Sequence, residues 1–288
     1  MVYKMLVLNI DGTLLQDNGR INKMTREAIE FAQSKDIKVI LATSYNFPTA
    51  KRVAKSLKID NHIVAHQGGY IAKELTKPVY VNRINEKLTR EIILFLESFS
   101  CQIKLVHEQF SMGNKVKLPD NILAKVVFQR ANRFSYSEQY VDELSEKLLE
   151  SPISPPNIEV IFDKPDHLSD AKKAIEEMYD EVVCIETDYN KIDIVAAGVS
   201  KLNGVKFLCD QHFIRREEVV AIGAGLDDLP LVQWAGLGVA MGNAPAVVRS
   251  VADWNTRTNN DNGVAYMVKE HFRKQYKLEF LKKINVLK

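Results

Sequence analysis

The stretch Lys4-Met5-Leu6-Val7-Leu8-Asn9-Ile10-Asp11-Gly12-Thr13-Leu14-Leu15 decides the fold of this chain. An apolar run of strand length ends in a polar side chain, and Asp11-Gly12 then turns the backbone. Outward from this point the alternation repeats. Asn22–Ser34 has helical spacing through Ala28, Ile29 and Ala32, and Ile37–Ala42 is a second apolar run. A helix is expected from near Pro48 to about Leu57, and Ile63–Ala65 is a third run. Strand–helix–strand alternation at this spacing implies parallel βαβ units with right-handed crossovers.

The pattern changes after about Val81. Helical stretches are expected near Glu86–Ser98, Tyr140–Glu150 and Leu168–Met178, with strands at Gln102–Val106, Ile158–Phe162, Glu181–Glu186 and Lys191–Val195. Helices mixed with strands of alternating pattern imply a separate α+β unit, with a proline-stiffened loop at 151–156. From Ser200 the βαβ style returns, with a helix there, a strand at Val219–Ile222, a helix at Asp227–Trp234 and a strand at Gly238–Met241. The economical division is a core of 1–83 plus 191–288 interrupted by an inserted unit, 84–190. The linkers are expected near 82–85 and 189–199, and no internal repeat is visible.

Composition excludes several classes. The 288 residues are 46% hydrophobic and 26% charged, with a formal net charge of +2, as in ordinary globular proteins. No basic stripe interleaved with aromatics points to nucleic acid, and no apolar run approaches a membrane span. Cys101, Cys184 and Cys209 are odd in number, far apart and in apolar surroundings, which implies reduced thiols in a cytoplasmic protein. The scattered His residues offer no metal-ligand spacing.

Four landmarks stand in order: Asn9-Ile10-Asp11-Gly12-Thr13, Leu41-Ala42-Thr43-Ser44, Gly198-Val199-Ser200-Lys201, and Ile222-Gly223-Ala224-Gly225-Leu226-Asp227-Asp228. The last is followed by Val239-Ala240-Met241-Gly242-Asn243-Ala244. Across essentially its whole length the chain resembles the haloacid dehalogenase superfamily, specifically its Cof-type phosphatase branch. That resemblance implies a Rossmann-like parallel-sheet core with an inserted α+β cap over the strand ends, where open α/β sheets place their ligands. It also implies a phosphohydrolase chemistry on small phosphorylated metabolites. In active relatives the residue at position 9 is an aspartate that attacks phosphorus, and the residue matching Asp11 is general acid and then base. Residues matching Gly12, Thr43, Ser44 and Lys201 surround the phosphoryl oxygens. Mg²⁺ is held by the side chain at position 9, the carbonyl at position 11 and acids of the late turn, here Asp227 and Asp228.

This sequence departs from that pattern at three places. Asn9 is a neutral amide that cannot form an acyl phosphate, Ala224 stands where a metal-ligand aspartate is usual, and Ser44-Tyr45 replaces the usual Gly-Arg. Asp227, at a position that is usually Asn, returns one negative charge. The expectations are weakened Mg²⁺ binding and a hydrolase with severely reduced activity, or a non-catalytic protein that binds a phosphorylated ligand or a protein partner. A lone Asn9 is compatible with an engineered substrate trap, but Ala224 and Ser44-Tyr45 depart independently and favour divergence. Plainer readings stand beside these. Asp11-Gly12 alone is an ordinary turn, Asp227 and Asp228 suit any helix N-terminus, and Gly223-Ala224-Gly225 lacks the third glycine of a dinucleotide loop.

Overall fold

The computed structural model describes residues 2–115 and 137–283. The first apolar run forms β1 (Met5–Leu8), buried at every position. It lies between β2 (Lys38–Ala42) and β12 (Val219–Gly223), parallel to both, with Leu8 in register with Leu41 and Ile222. β3 (Ile63–Ala65) extends the parallel order beyond β2, and β13 (Leu237–Ala240) and β14 (Trp254–Asn255) extend it beyond β12. β4 (Tyr70–Glu74) and β5 (Lys77–Val81) add an antiparallel edge. Among the described residues this sheet has eight strands, in the order β14-β13-β12-β1-β2-β3-β4-β5.

Unbroken apolar runs form these central strands because both faces are covered. Leu6, Leu8, Val39, Leu41, Val220 and Ile222 pack with α1 (Lys23–Ser34), α2 (Phe47–Ser56) and α8 (Gly263–Phe272). Their alternates Met5, Val7, Ile40, Val219 and Ala221 pack with α6 (Lys201–Gln211) and α7 (Leu229–Trp234). The helices start where capping side chains are available: Asn22 accepts from the Met24 N–H, Asn46 from Thr49 and Ser200 from Asn203.

The intervening chain forms α3 (Glu86–Leu96), β6 (Cys101–Val106), β7 (Phe110–Asn114), β8 (Ser137–Val141), α4 (Leu144–Glu150), β9 (Asn157–Phe162), α5 (Pro165–Met178), β10 (Val182–Asp188) and β11 (Lys191–Ala196). Its strands make a second sheet, six-stranded among the described residues, ordered β10-β11-β9-β6-β7-β8 and antiparallel apart from β7 with β8. Ile103, Leu105, Ile158, Val160, Ile192 and Ile194 pack against the helices. The alternate residues Lys104, Glu159, Lys191 and Asp193 give the opposite face its charge.

Three sequence expectations need correction. The division drawn at residue 191 puts Lys191–Val195 with the core, whereas that strand, Lys191–Ala196, is hydrogen-bonded between β10 and β9. Its alternation of Ile192 and Ile194 with Lys191 and Asp193 is that of a sheet with one dry face. Tyr140, expected in a helix, lies in β8, and the helix starts at Leu144. The late helix begins at Leu229, because Leu226–Asp228 forms a tight turn that turns both carboxylates inward. The three cysteines are free and buried, each thiol pushed up to about 12 by burial, which keeps them unreactive. No described helix is long and apolar enough to cross a membrane.

Candidate active site

The site is built on the carboxyl end of β1. The Asn9 N–H donates to the Ile222 carbonyl, and the chain then turns through extended Asp11 and left-handed Gly12, φ 63°. A Cβ on Gly12 would come within 3.2 Å of both Ala224 Cβ and Asn243 Nδ2. Glycine suits both that φ and that proximity. Asn243 holds the turn from the other side, donating to the Gly12 carbonyl at 2.9 Å while accepting from the Asn259 N–H.

Inward of this turn lies a closed polar cage. Asn9 Oδ1 accepts from the Ile10 N–H at 2.7 Å, which fixes the amide orientation. Its Nδ2 therefore donates to Asp228 Oδ2 at 2.7 Å and to the Asp11 carbonyl at 3.3 Å. Asp228 Oδ2 also accepts from the N–H groups of Ala224 and Gly225, at 2.8 and 3.0 Å. Lys201 Nζ is 2.7 Å from Asp228 Oδ1 and 2.7 Å from Asp227 Oδ2. An ammonium at the first position of a helix opposes the helix dipole, and here two carboxylates compensate it. Burial pulls the Lys201 ammonium down, but Asp227 and Asp228 outweigh it and hold it above the ordinary lysine value. Burial raises Asp228 and Lys201 opposes that rise. With donors on both of its oxygens, the Asp228 carboxylate is the ionised partner.

These residues do not present the donor set a magnesium ion needs. Mg²⁺ requires oxygen ligands in near-octahedral array. Here the NH₂ of Asn9 points at the two oxygens, the Asp11 carbonyl and Asp228, that the resemblance assigns to the metal. Ala224 offers a methyl group, and an ammonium lies between the remaining carboxylates. Among the described residues no three carboxylate, imidazole or thiolate groups converge as a metal set.

Outward of the turn the site opens. Asp11 lines a cleft of about 530 Å³ with Gly12, Tyr45, Asn18, Asn243 and Asn259 among its walls. The Tyr45 hydroxyl donates to Asp11 Oδ1 at 2.5 Å. Desolvation by the surrounding protein raises the Asp11 carboxyl, while Tyr45, Lys191 and Lys201 oppose the rise. A raised carboxyl suits a proton donor. Tyr45 is itself raised, by burial first and then by Asp11. From the second sheet, Lys191 lies 3.3 Å from Glu159 and 4.0 Å from Asp193. Burial lowers Lys191, but these carboxylates carry it above its ordinary value.

Of the residues singled out in the sequence, Asn9, Asp11, Gly12, Lys201, Asp227 and Asp228 converge on this turn. Thr43 is buried, and its hydroxyl closes its own turn by accepting from the Tyr45 N–H at 3.1 Å. Ser44 lies in that same turn. Sequence reasoning missed Gln67, whose Nε2 donates to Asp227 Oδ2 at 2.9 Å and to Asp193 Oδ2 at 2.8 Å. It also missed the contacts of Tyr45 and Asn243 and the charged trio Glu159, Lys191 and Asp193. His66 and Gln67 both have left-handed backbones, φ 50° and 58°. A Cβ on Gly68 would lie 2.2 Å from the Ser200 carbonyl, so this turn abuts the start of α6. The glycine pair that follows it, Gly68-Gly69, was the available signal for Gln67.

Comparison with known proteins places this geometry. The family of haloacid dehalogenase-like hydrolases matches residues 6–268. Stress response protein YhaX of Bacillus subtilis is 41% identical over 286 residues, covering 99% of each chain. Putative phosphatase YxeH of the same organism is 28% identical, covering 93% of this chain and 98% of the relative. A solved haloacid dehalogenase-like hydrolase from B. subtilis superposes with a TM-score of 0.82 at 24% identity, covering 93% of this chain and 99% of that one.

Proposed function

Because this chain belongs to the family of haloacid dehalogenase-like hydrolases, we propose that it is a Cof-type member that binds a small phosphorylated metabolite and hydrolyses it very slowly or not at all. One observation carries the reading: the Asn9 oxygen is engaged by the Ile10 N–H and its NH₂ faces Asp228. The position from which a carboxylate would attack phosphorus therefore holds a weak, hydrogen-bonded amide. Removal of a catalytic nucleophile costs on the order of 10⁴–10⁶ in rate in other hydrolases. Asp11 remains where a general acid belongs, beside an open cleft that a substrate's leaving group would enter. The buried free thiols suit a cytoplasmic protein.

A second reading, binding without turnover, draws on the saturation of Lys201. Its ammonium serves two carboxylates, so a phosphoryl group must compete with Asp227 for it. A panel of phosphomonoesters with Mg²⁺, run on the native chain and on the Asn9→Asp, Ala224→Asp double variant, tests both. Negligible turnover by the native chain and measurable turnover by the double variant are expected. Robust Mg²⁺-dependent turnover by the native chain, free of contaminating phosphatase, refutes the proposal. Binding of an unhydrolysed ester by the native chain, read by calorimetry, supports the second reading.

A further inference from the structure

We propose that Asn9 and Lys201 are a built-in replacement for the metal, a fixed set of donors that orders the junction of the two sheets without any divalent cation. This rests on the reading of a non-hydrolysing site. The Asp228 carboxylate takes hydrogen bonds from Lys201, Asn9 and two backbone N–H groups. Asp227 Oδ2 takes Lys201 and Gln67. Gln67 spends its second hydrogen on Asp193 of β11. The chain of contacts Asn9–Asp228–Lys201–Asp227–Gln67–Asp193 thus runs from β1 into the second sheet through links of 2.7 to 2.9 Å.

The neighbouring residue doubles the junction. His66 Nε2 accepts from the Phe47 N–H at 3.2 Å, so its Nδ1–H donates to Asn157 Oδ1 of β9 at 2.9 Å. Two successive left-handed non-glycine residues are strained and persist only where surroundings over-determine them. Here the surroundings are these two bonds and the Gly68–Ser200 contact.

A divalent ion entering the cage would have to expel the Lys201 ammonium and face the hydrogens of the Asn9 amide. The native chain is therefore indifferent to Mg²⁺. In Asn9→Asp, by contrast, a third carboxylate joins Asp227 and Asp228 around a single ammonium, at contact distance from Asp228, and a dication becomes their natural partner.

Thermal unfolding of the full chain in EDTA and in about 10 mM Mg²⁺ tests the idea through binding linkage. The native Tm should agree within about 1 °C between the two conditions. Asn9→Asp should melt roughly 5 °C or more lower in EDTA and regain at least about 2–4 °C in Mg²⁺. A second readout is amide exchange of residues 66–69 and 191–196, expected to be equally slow in native protein with and without Mg²⁺. A native Tm that rises several degrees with Mg²⁺, or a folded Asn9→Asp indifferent to it, overturns the inference. Should Asn9→Asp not fold, calorimetric titration of Mg²⁺ into native protein decides alone, and heat of specific binding overturns it. A native chain that binds Mg²⁺ yet hydrolyses nothing defeats this inference and leaves the functional reading standing. Mg²⁺-dependent turnover defeats both.

Discussion

The inner and outer ends of the site compensate their charges in different ways. At the inner end Asp228 and Lys201 are 1% and 2% exposed, and every strong contact is made within the cage itself. At the outer end Asp11 meets one hydroxyl, from Tyr45, and its countercharges Lys191 and Lys201 act on it electrostatically. The inner end is ordered and unreactive, whereas the outer end keeps an acid beside an open cleft. Capacity to bind and capacity to attack phosphorus are therefore separable in this fold, since they reside in different groups.

The comparison breaks most sharply at Lys201. Lys201→Met leaves two buried carboxylates side by side with no counter-ion, and should cost about 3–5 kcal/mol of stability in urea unfolding. A loss under about 1 kcal/mol would show that the inner end is not closed electrostatically.

Next in size is a pH effect at the junction. Burial lowers His66 from 6.5 to about 4, so the unfolded chain takes that proton more readily. Its share of stability is present above about pH 6.5 and is lost as pH falls through about 4. Asp193 does the opposite. Burial raises it from 3.8 to about 7, so its share is present below about pH 3.8 and lost as pH rises through about 7. The two slopes oppose each other between about pH 4 and 6.5. Asp193→Asn removes one of them, so its stability should climb across that window by up to about 3 kcal/mol relative to native protein. Parallel curves from chemical denaturation at several pH values would sink the assignment.

The third expectation concerns rate. Asn9→Asp restores the attacking oxygen, and Ala224→Asp restores a ligand that must fit beside Gly12. Neither alone suffices, so the double variant should exceed the product of the single effects by a coupling of about 1–3 kcal/mol, or roughly 5–150-fold. Initial rates on an aryl phosphate with Mg²⁺ measure it. The smallest effect belongs to Tyr45→Phe. It removes the hydroxyl that opposes the rise of Asp11, so the Asp11 titration followed by carboxyl NMR should move further upward, with about 1 kcal/mol or less of stability lost. An unmoved Asp11 titration would sharpen the boundary by assigning its environment to desolvation and the lysine charges alone.

Much of this arrangement was legible in the residues. Asn9, Ala224 and Lys201 could be placed because each stands at the end of an unbroken apolar run or the start of a helix, where local pattern fixes position. The second sheet was less legible. Lys191 and Asp193 face the first sheet only because β11 pairs with β9, and register between distant strands is not a local property. The same holds for Gln67, whose partners are 126 and 160 residues away. Tyr45 could be seen as a departure from the family pattern, but its bond to Asp11 depends on how two strand-end turns meet.

The contact between the Gly12 turn and Ala224 also makes this chain's chemistry hard to reverse. At position 224, a buried site whose own N–H already serves Asp228, a carboxylate adds a third acid over a single ammonium. A carboxylate at position 9 meets Asp228 across the 2.7 Å contact that the Asn9 NH₂ now fills. Each single step back toward a hydrolase thus passes through a less stable protein that still lacks half of its machinery. Under selection for phosphatase activity such a landscape has a valley between two heights. One mutation at a time leads down before it leads up, and a library that changes both positions together is the way across.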